Sequence, residues 1–97
     1  MQDSPMQIKW LRRALRNLEQ AHSYILKENP QAAPEVILRI QLATSQLENY
    51  PFMGRTGRIE GTRELVISST PYIVIYRVKE ESVEILRVFH TSKRYPD

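Results

Sequence analysis

The sequence predicts an α+β fold of two layers: an N-terminal strand, an antiparallel helical hairpin, then a three-stranded antiparallel meander. Three observations carry this reading. Residues 63–68, 72–78 and 83–90 are runs rich in Val, Ile and Tyr, separated by the short turns 69–71 and 79–82. Upstream, apolar residues recur twice at helical spacing, on either side of Asn29-Pro30. Before them, Met6, Ile8 and Trp10 alternate with Gln7 and Lys9, as residues of a half-buried strand do. Residues 1–97 are read as one domain, because a chain of 97 residues can build one core but not two.

In chain order, residues 1–5 form a loose end and residues 6–10 the first strand. Leu11, Leu15, Leu18, Ala21 or His22, and Ile25 then define one face of a helix over residues 11–28, with Arg12, Arg13, Arg16, Glu19, Gln20 and Lys27 opposite. Asn29-Pro30 ends it. Pro34 would lose a helical N–H if the second helix began at Pro30, so that helix is placed from about residue 33 or 34 to about 48. Val36, Ile40, Ala43, Leu47 and Tyr50 keep its period, and Tyr50-Pro51 closes it.

Residues 51–62 form a loop in which Gly54, Gly57 and Gly61 are spaced by Arg55, Arg58 and Glu60. Two readings stand: an anion-binding loop of backbone N–H groups and arginines, or a plain connection into the sheet. The spacing is that of neither a P-loop nor a dinucleotide fingerprint. In the meander, alternation puts Leu65 and Ile67, then Tyr72, Val74, Tyr76 and Val78, then Val83, Ile85 and Phe89 on single faces of their strands. The opposite faces carry Val66, Ile73, Ile75, Leu86 and Val88, so the sheet is apolar on both sides. Helices are expected to cover one face and a partner chain part of the other. The alternative is that helices and C-terminal segment seal both.

Composition removes several function classes. The chain has no cysteine, and its two histidines stand without an acidic cluster, so neither a disulfide framework nor a metal site is expected. No cofactor is expected. No apolar run reaches the ~18 residues of a membrane span, and no signal segment opens the chain, so the expected compartment is the cytoplasm. Net charge is +3, with ten Arg against four Lys. The planar Arg fork suits carboxylates and phosphates, which points to anionic partners.

Together the segments Tyr50-Pro51-Phe52-Met53-Gly54-Arg55, Gly61-Thr62-Arg63-Glu64-Leu65, Pro71-Tyr72-Ile73-Val74-Ile75-Tyr76-Arg77-Val78 and Glu84-Ile85-Leu86-Arg87-Val88-Phe89-His90, following a helix pair split at Asn29-Pro30, resemble the ParE/RelE superfamily of bacterial toxins. Gly-Thr-Arg-Glu-Leu followed by Pro-Tyr-Ile-Val-Ile-Tyr-Arg-Val is closer to the ParE branch. The resemblance implies a growth-inhibiting toxin of a type II toxin–antitoxin module, held inactive in a hetero-oligomer by a cognate antitoxin that wraps the hairpin and sheet. ParE-like members are associated with inhibition of DNA gyrase. RelE-like members cleave messenger RNA on the ribosome, and a member that only binds its antitoxin is a third possibility.

Metal-independent RNA cleavage needs a base, an acid and cations on the phosphate. Arg63, Arg87, His90 and Tyr95 are the candidates for that cluster. The arginine that RelE-like toxins commonly carry after the aromatic residue of the middle strand is replaced by Ile73, an apolar side chain that neutralises no phosphate. For a surface that meets the target, the candidates are Arg87, Lys93, Arg94 and Tyr95, brought together by a bend after Phe89. If not there, the surface is expected near Arg12, Arg13 and Arg16. Antitoxin contact is assigned to Ile73, Ile75, Arg77, Leu86 and Val88. Each has a plainer role: Arg87 as a half-buried partner of Glu64 or Glu84, His90 as a hydrogen-bonded strand end, and Arg63 and Arg77 as surface residues.

Overall fold

A computed structural model describes residues 4–93 and residue 95. Its elements are β1 (Gln7–Trp10), α1 (Arg12–Glu28), α2 (Ala33–Ser45) with a 3₁₀ turn over Gln46–Glu48, β2 (Arg55–Thr56), β3 (Arg63–Val66), β4 (Tyr72–Val78) and β5 (Ser82–His90). The two-layer α+β reading holds. One sheet runs in the order β1-β5-β4-β3-β2, antiparallel throughout except that β1 lies parallel to β5 at the edge. The two-residue strand β2 was not legible in the sequence. It forms where Arg55 and Thr56 pair with Glu64 and Arg63.

The helical boundaries follow local chemistry. α1 closes where the N–H of Asn29 reaches the carbonyl of Ile25 at 2.7 Å and Pro30 follows. α2 accommodates Pro34 because that residue falls in its first turn, where the missing N–H has no helical partner to lose. Glu35 in the same turn favours the positive end of the helix and pairs with Arg39 one turn on, at 3.0 Å. The core stripe of α1 is Ala14, Ala21 and Ile25 with Leu18 half-buried, while the predicted core residue Leu15 is 48% exposed.

The core between helices and sheet gathers Ile40, Leu47, Leu65, Ile67, Tyr72, Val74, Tyr76, Val83, Ile85 and Val88. Val88 stands there as a correction to the predicted faces. Tyr76 pairs with Ile85 but Ile75 pairs with Arg87, so Leu86 is an extra residue on β5 and the alternation reverses across it. Val88 and His90 therefore share the helix side, and Arg87 and Phe89 pair with Ile75 and Ile73 on the other.

The second face is also corrected. Ile73 and Ile75, assigned to a partner, are only 5% and 2% exposed in the chain alone. Loop and C-terminal residues cover them: Arg58, Phe89 and Tyr95 line, with these two isoleucines and Glu64, a cavity of about 40 Å³. The Tyr95 ring packs edge-on against Phe89 at 4.9 Å, and Arg58 lies over it at 5.6 Å while donating to its carbonyl at 3.0 Å. Burying two isoleucines and a phenylalanine is worth several kcal/mol at about 1.5–3 each, enough to recruit a short loop for the purpose. Arg77 remains exposed and Leu86 half-buried.

Candidate functional site

β1 stops at Trp10, opposite Ile85, so among the described residues the outer edge of β5 beyond that point has no neighbouring strand. α1 passes this edge. Asn17 satisfies it, its Oδ1 accepting from the backbone N–H of Val88 at 3.2 Å and from Nε of Arg87 at 3.1 Å. A cleft of about 720 Å³ opens there between α1 and the end of β5. Arg13, Arg16, Asn17, Gln20 and Tyr24 line it from the helix, and Arg87, His90, Ser92 and Lys93 from the strand and the bend after it.

Among the described residues that line the cleft, charge is of one sign. Arg13, Arg16, Arg87 and Lys93 are cations, and no Asp or Glu is among its lining residues. The first turn of α1 also lacks an acidic residue, so Arg12 and Arg13 sit at the end of the helix dipole that favours anions. Such placement costs a few tenths of a kcal/mol or more per cation.

His90 closes one end of the cleft between two tyrosines. Its ring meets Tyr72 edge-on at 5.1 Å and Tyr24 at 6.4 Å. Its Nδ1 accepts from the backbone N–H of Ser92 at 3.0 Å, with the Ser92 hydroxyl at 2.8 Å. A backbone N–H only donates, so the neutral ring carries its proton on Nε2. Burial pushes the Tyr72 hydroxyl above its ordinary value, and neighbouring Tyr24 adds to the shift, so this phenol stays protonated at neutral pH.

Other predicted site residues are elsewhere. Arg63 is held two strands away, donating to the carbonyls of Gly54 at 2.7 Å and Phe52 at 3.3 Å and lying 5.0 Å over the Phe52 ring. Tyr95 is on the opposite face of the sheet, where burial foremost, then the charge of Glu64, raises its hydroxyl above the ordinary value. The plainer role offered for Arg87 is replaced by the bond to Asn17, since Glu64 is engaged by Arg55 and Arg58 and Glu84 by Arg77. Arg94 lies outside the described residues. The two surfaces proposed as alternatives, the C-terminal cluster and the arginines of α1, meet: Arg13 and Arg16 line the same cleft as Arg87 and Lys93. Asn17, Gln20 and Tyr24 were missed. The signal available was an arginine-rich first turn without a carboxylate, followed at helical spacing by Asn17, Gln20 and Tyr24.

The arrangement is accompanied by close relatives. Residues 8–95 match the family described as ParE toxin of type II toxin-antitoxin system, parDE. The chain is 46% identical over 93 residues to "Putative toxin Y4kP" of Sinorhizobium fredii, spanning 96% of each protein. It is 36% identical over 87 residues to Toxin RelE2 of Caulobacter vibrioides, spanning 90% of this chain and 97% of that one. A chain of the chromosomal ParDE TA system from P. aeruginosa superposes with a TM-score of 0.81 at 25% identity, covering 88% of this chain and 95% of its own length. The fold, the family match over nearly its whole length and these relatives together place this chain in the ParE toxin family of type II toxin–antitoxin systems, within the ParE/RelE superfamily.

Proposed function

We propose that this chain is the toxin of a two-protein module, that it inhibits DNA gyrase rather than cutting ribosome-bound messenger RNA, and that a cognate antitoxin neutralises it. The observation that carries the choice of target is the dispersal of the RNase candidates. Arg63 is tied to the 52–54 turn, Tyr95 lies on the far face of the sheet, and only Arg87 and His90 share the cleft. His90 offers the cleft an N–H rather than a lone pair, which suits a hydrogen-bond donor and not a general base. Ile73 is buried where the RelE-like arginine would stand. An inhibitor needs a surface and no catalytic constellation, and the basic cleft is that surface.

The antitoxin contact is proposed for the helical side. Ile8, Trp10, Leu15 and Leu18 line a groove of about 320 Å³ between β1, α1 and α2, and Leu38 and Leu42 are exposed on α2 nearby in sequence. An apolar groove of this kind fits the amphipathic segment of a partner protein.

Purified protein assayed side by side for gyrase supercoiling and for translation with mapped mRNA ends tests the target. Loss of supercoiling with intact mRNA is expected. Codon-specific mRNA cuts with normal supercoiling would select the RNase reading, which the RelE2 relative keeps in view, and no effect in either assay would leave antitoxin binding as its role.

A further inference from the structure

Two polar side chains of the cleft wall, Asn17 and His90, have their acceptor atoms committed by internal bonds, while Gln20, Ser92 and the tyrosine hydroxyls can either donate or accept. Asn17 spends its Oδ1 on Arg87 and Val88, which leaves its Nδ2 amide hydrogens to the cleft. His90 spends Nδ1 on Ser92, which leaves Nε2–H. Added to the cations Arg16 and Lys93, with Arg13 and Arg87 beside them, these donors are spread over a volume far larger than one carboxylate fills. The ligand this wall accepts is an extended polyanion with several acceptor groups.

A second feature chooses among polyanions. The Tyr24 ring is 55% exposed at the rim of the cleft, braced by the His90 edge and beside Gln20. An exposed ring next to a line of cations is how proteins hold single-stranded nucleic acid, with phosphates on the cations and a base on the ring. A run of acidic side chains carries no ring with each charge, whereas every phosphate of a single strand comes with a base. A duplex is too stiff to bend into a cleft closed on two sides by α1 and β5.

We propose that the cleft between α1 and the end of β5 binds a single strand of nucleic acid without cutting it, phosphodiester oxygens meeting Arg16, Lys93, Asn17 and His90 and a base stacking on Tyr24. This goes beyond inhibition of gyrase and does not depend on it, because the binding is measured without that enzyme.

The experiment is fluorescence anisotropy of the full chain with short labelled oligo-dT and oligo-U strands, titrated with salt, and with a poly-glutamate peptide as competitor. Arg16 and Lys93 are the residues to change, since their side chains hold no hydrogen bond or ion pair within the described chain. Arg16→Ala with Lys93→Ala should weaken binding about tenfold or more and reduce the salt slope by about 0.7 per lost phosphate contact. Tyr24→Ala should weaken binding and leave the salt slope unchanged. Arg39→Ala removes the same charge from α2 and should change neither. Thermal unfolding checks that each variant is folded, and Lys93→Glu at the exposed bend gives a second loss of binding that needs no helix substitution. Binding of DNA and RNA alike, or of one over the other, supports the proposal and names the strand. Absence of binding, binding indifferent to Arg16 and Lys93, or efficient displacement by poly-glutamate with no effect of Tyr24→Ala overturns it.

Discussion

At the scale of single residues, Tyr76 shows how one hydroxyl fixes a turn. It donates to the carbonyl of Pro51 at 2.8 Å and accepts from the N–H of Gly54 at 2.9 Å, in the middle of a fully buried side chain. A Cβ at position 54 would lie 2.7 Å from that hydroxyl and 2.9 Å from the Glu64 carbonyl, so glycine is required by close approach. Tyr76→Phe leaves two backbone groups without a partner and should cost about 1–3 kcal/mol in urea unfolding, with the slope unchanged. Arg77 and Glu84 form a cross-strand pair at 2.6 Å whose hydrogen bond lowers the Glu84 carboxyl below 4.5. Because the folded value is depressed, the pair contributes stability above the ordinary carboxylate range and loses it as pH falls through the depressed value. Arg77→Ala should return the Glu84 titration upward by NMR and lower stability at neutral pH but not in strong acid.

At the scale of elements, β3 carries the residue on which the second face depends. Glu64 is 2% exposed and accepts from Arg55 at 3.0 Å and from the Arg58 backbone N–H at 3.2 Å, with the Arg58 guanidinium at 3.6 Å. Arg58 in turn holds Tyr95 over Phe89. Removing the charge alone is enough to break this chain of contacts, since the amide of Glu64→Gln would set a donor against the donors of the loop. The expected cost is about 1–2 kcal/mol, discounted because both arginines are half exposed. Hydrogen exchange should speed at the Arg58 amide while β4 and β5 amides stay protected. The anion-binding reading of this loop is thereby displaced, because its arginines and one of its N–H groups already serve Glu64.

For the whole molecule, the cleft and the apolar groove lie on different surfaces and share α1. Leu15 lines the groove at 48% exposure, whereas Arg16, its neighbour, lines the cleft. Leu15→Asp should therefore weaken antitoxin binding by about tenfold or more in calorimetry, move stability by only about 0.5 kcal/mol, and leave growth inhibition by the free toxin intact. Equal affinity for antitoxin in this variant would remove the groove from the interface. Among the described residues no helix is long and apolar enough to cross a membrane.

Periodicity and turn chemistry determined by themselves the order of the elements other than β2, the break at Asn29-Pro30, the placing of α2 around Pro34 and the three runs of the meander, because these are local consequences of side-chain shape and hydrogen bonding. The residue motifs carried the family. Which face each residue of β5 takes was decided only in the tertiary structure, since one extra residue at Leu86 reverses alternation and no local pattern marks it. That reversal sends Val88 into the core and His90 to the cleft, and it sets Phe89 under Tyr95 on the face that the sequence left to a partner. The cleft itself is a product of length and packing. β1 is too short to cover the end of β5, and the arginines of α1 join Arg87 of β5 across about seventy residues of chain because that edge must be satisfied by Asn17.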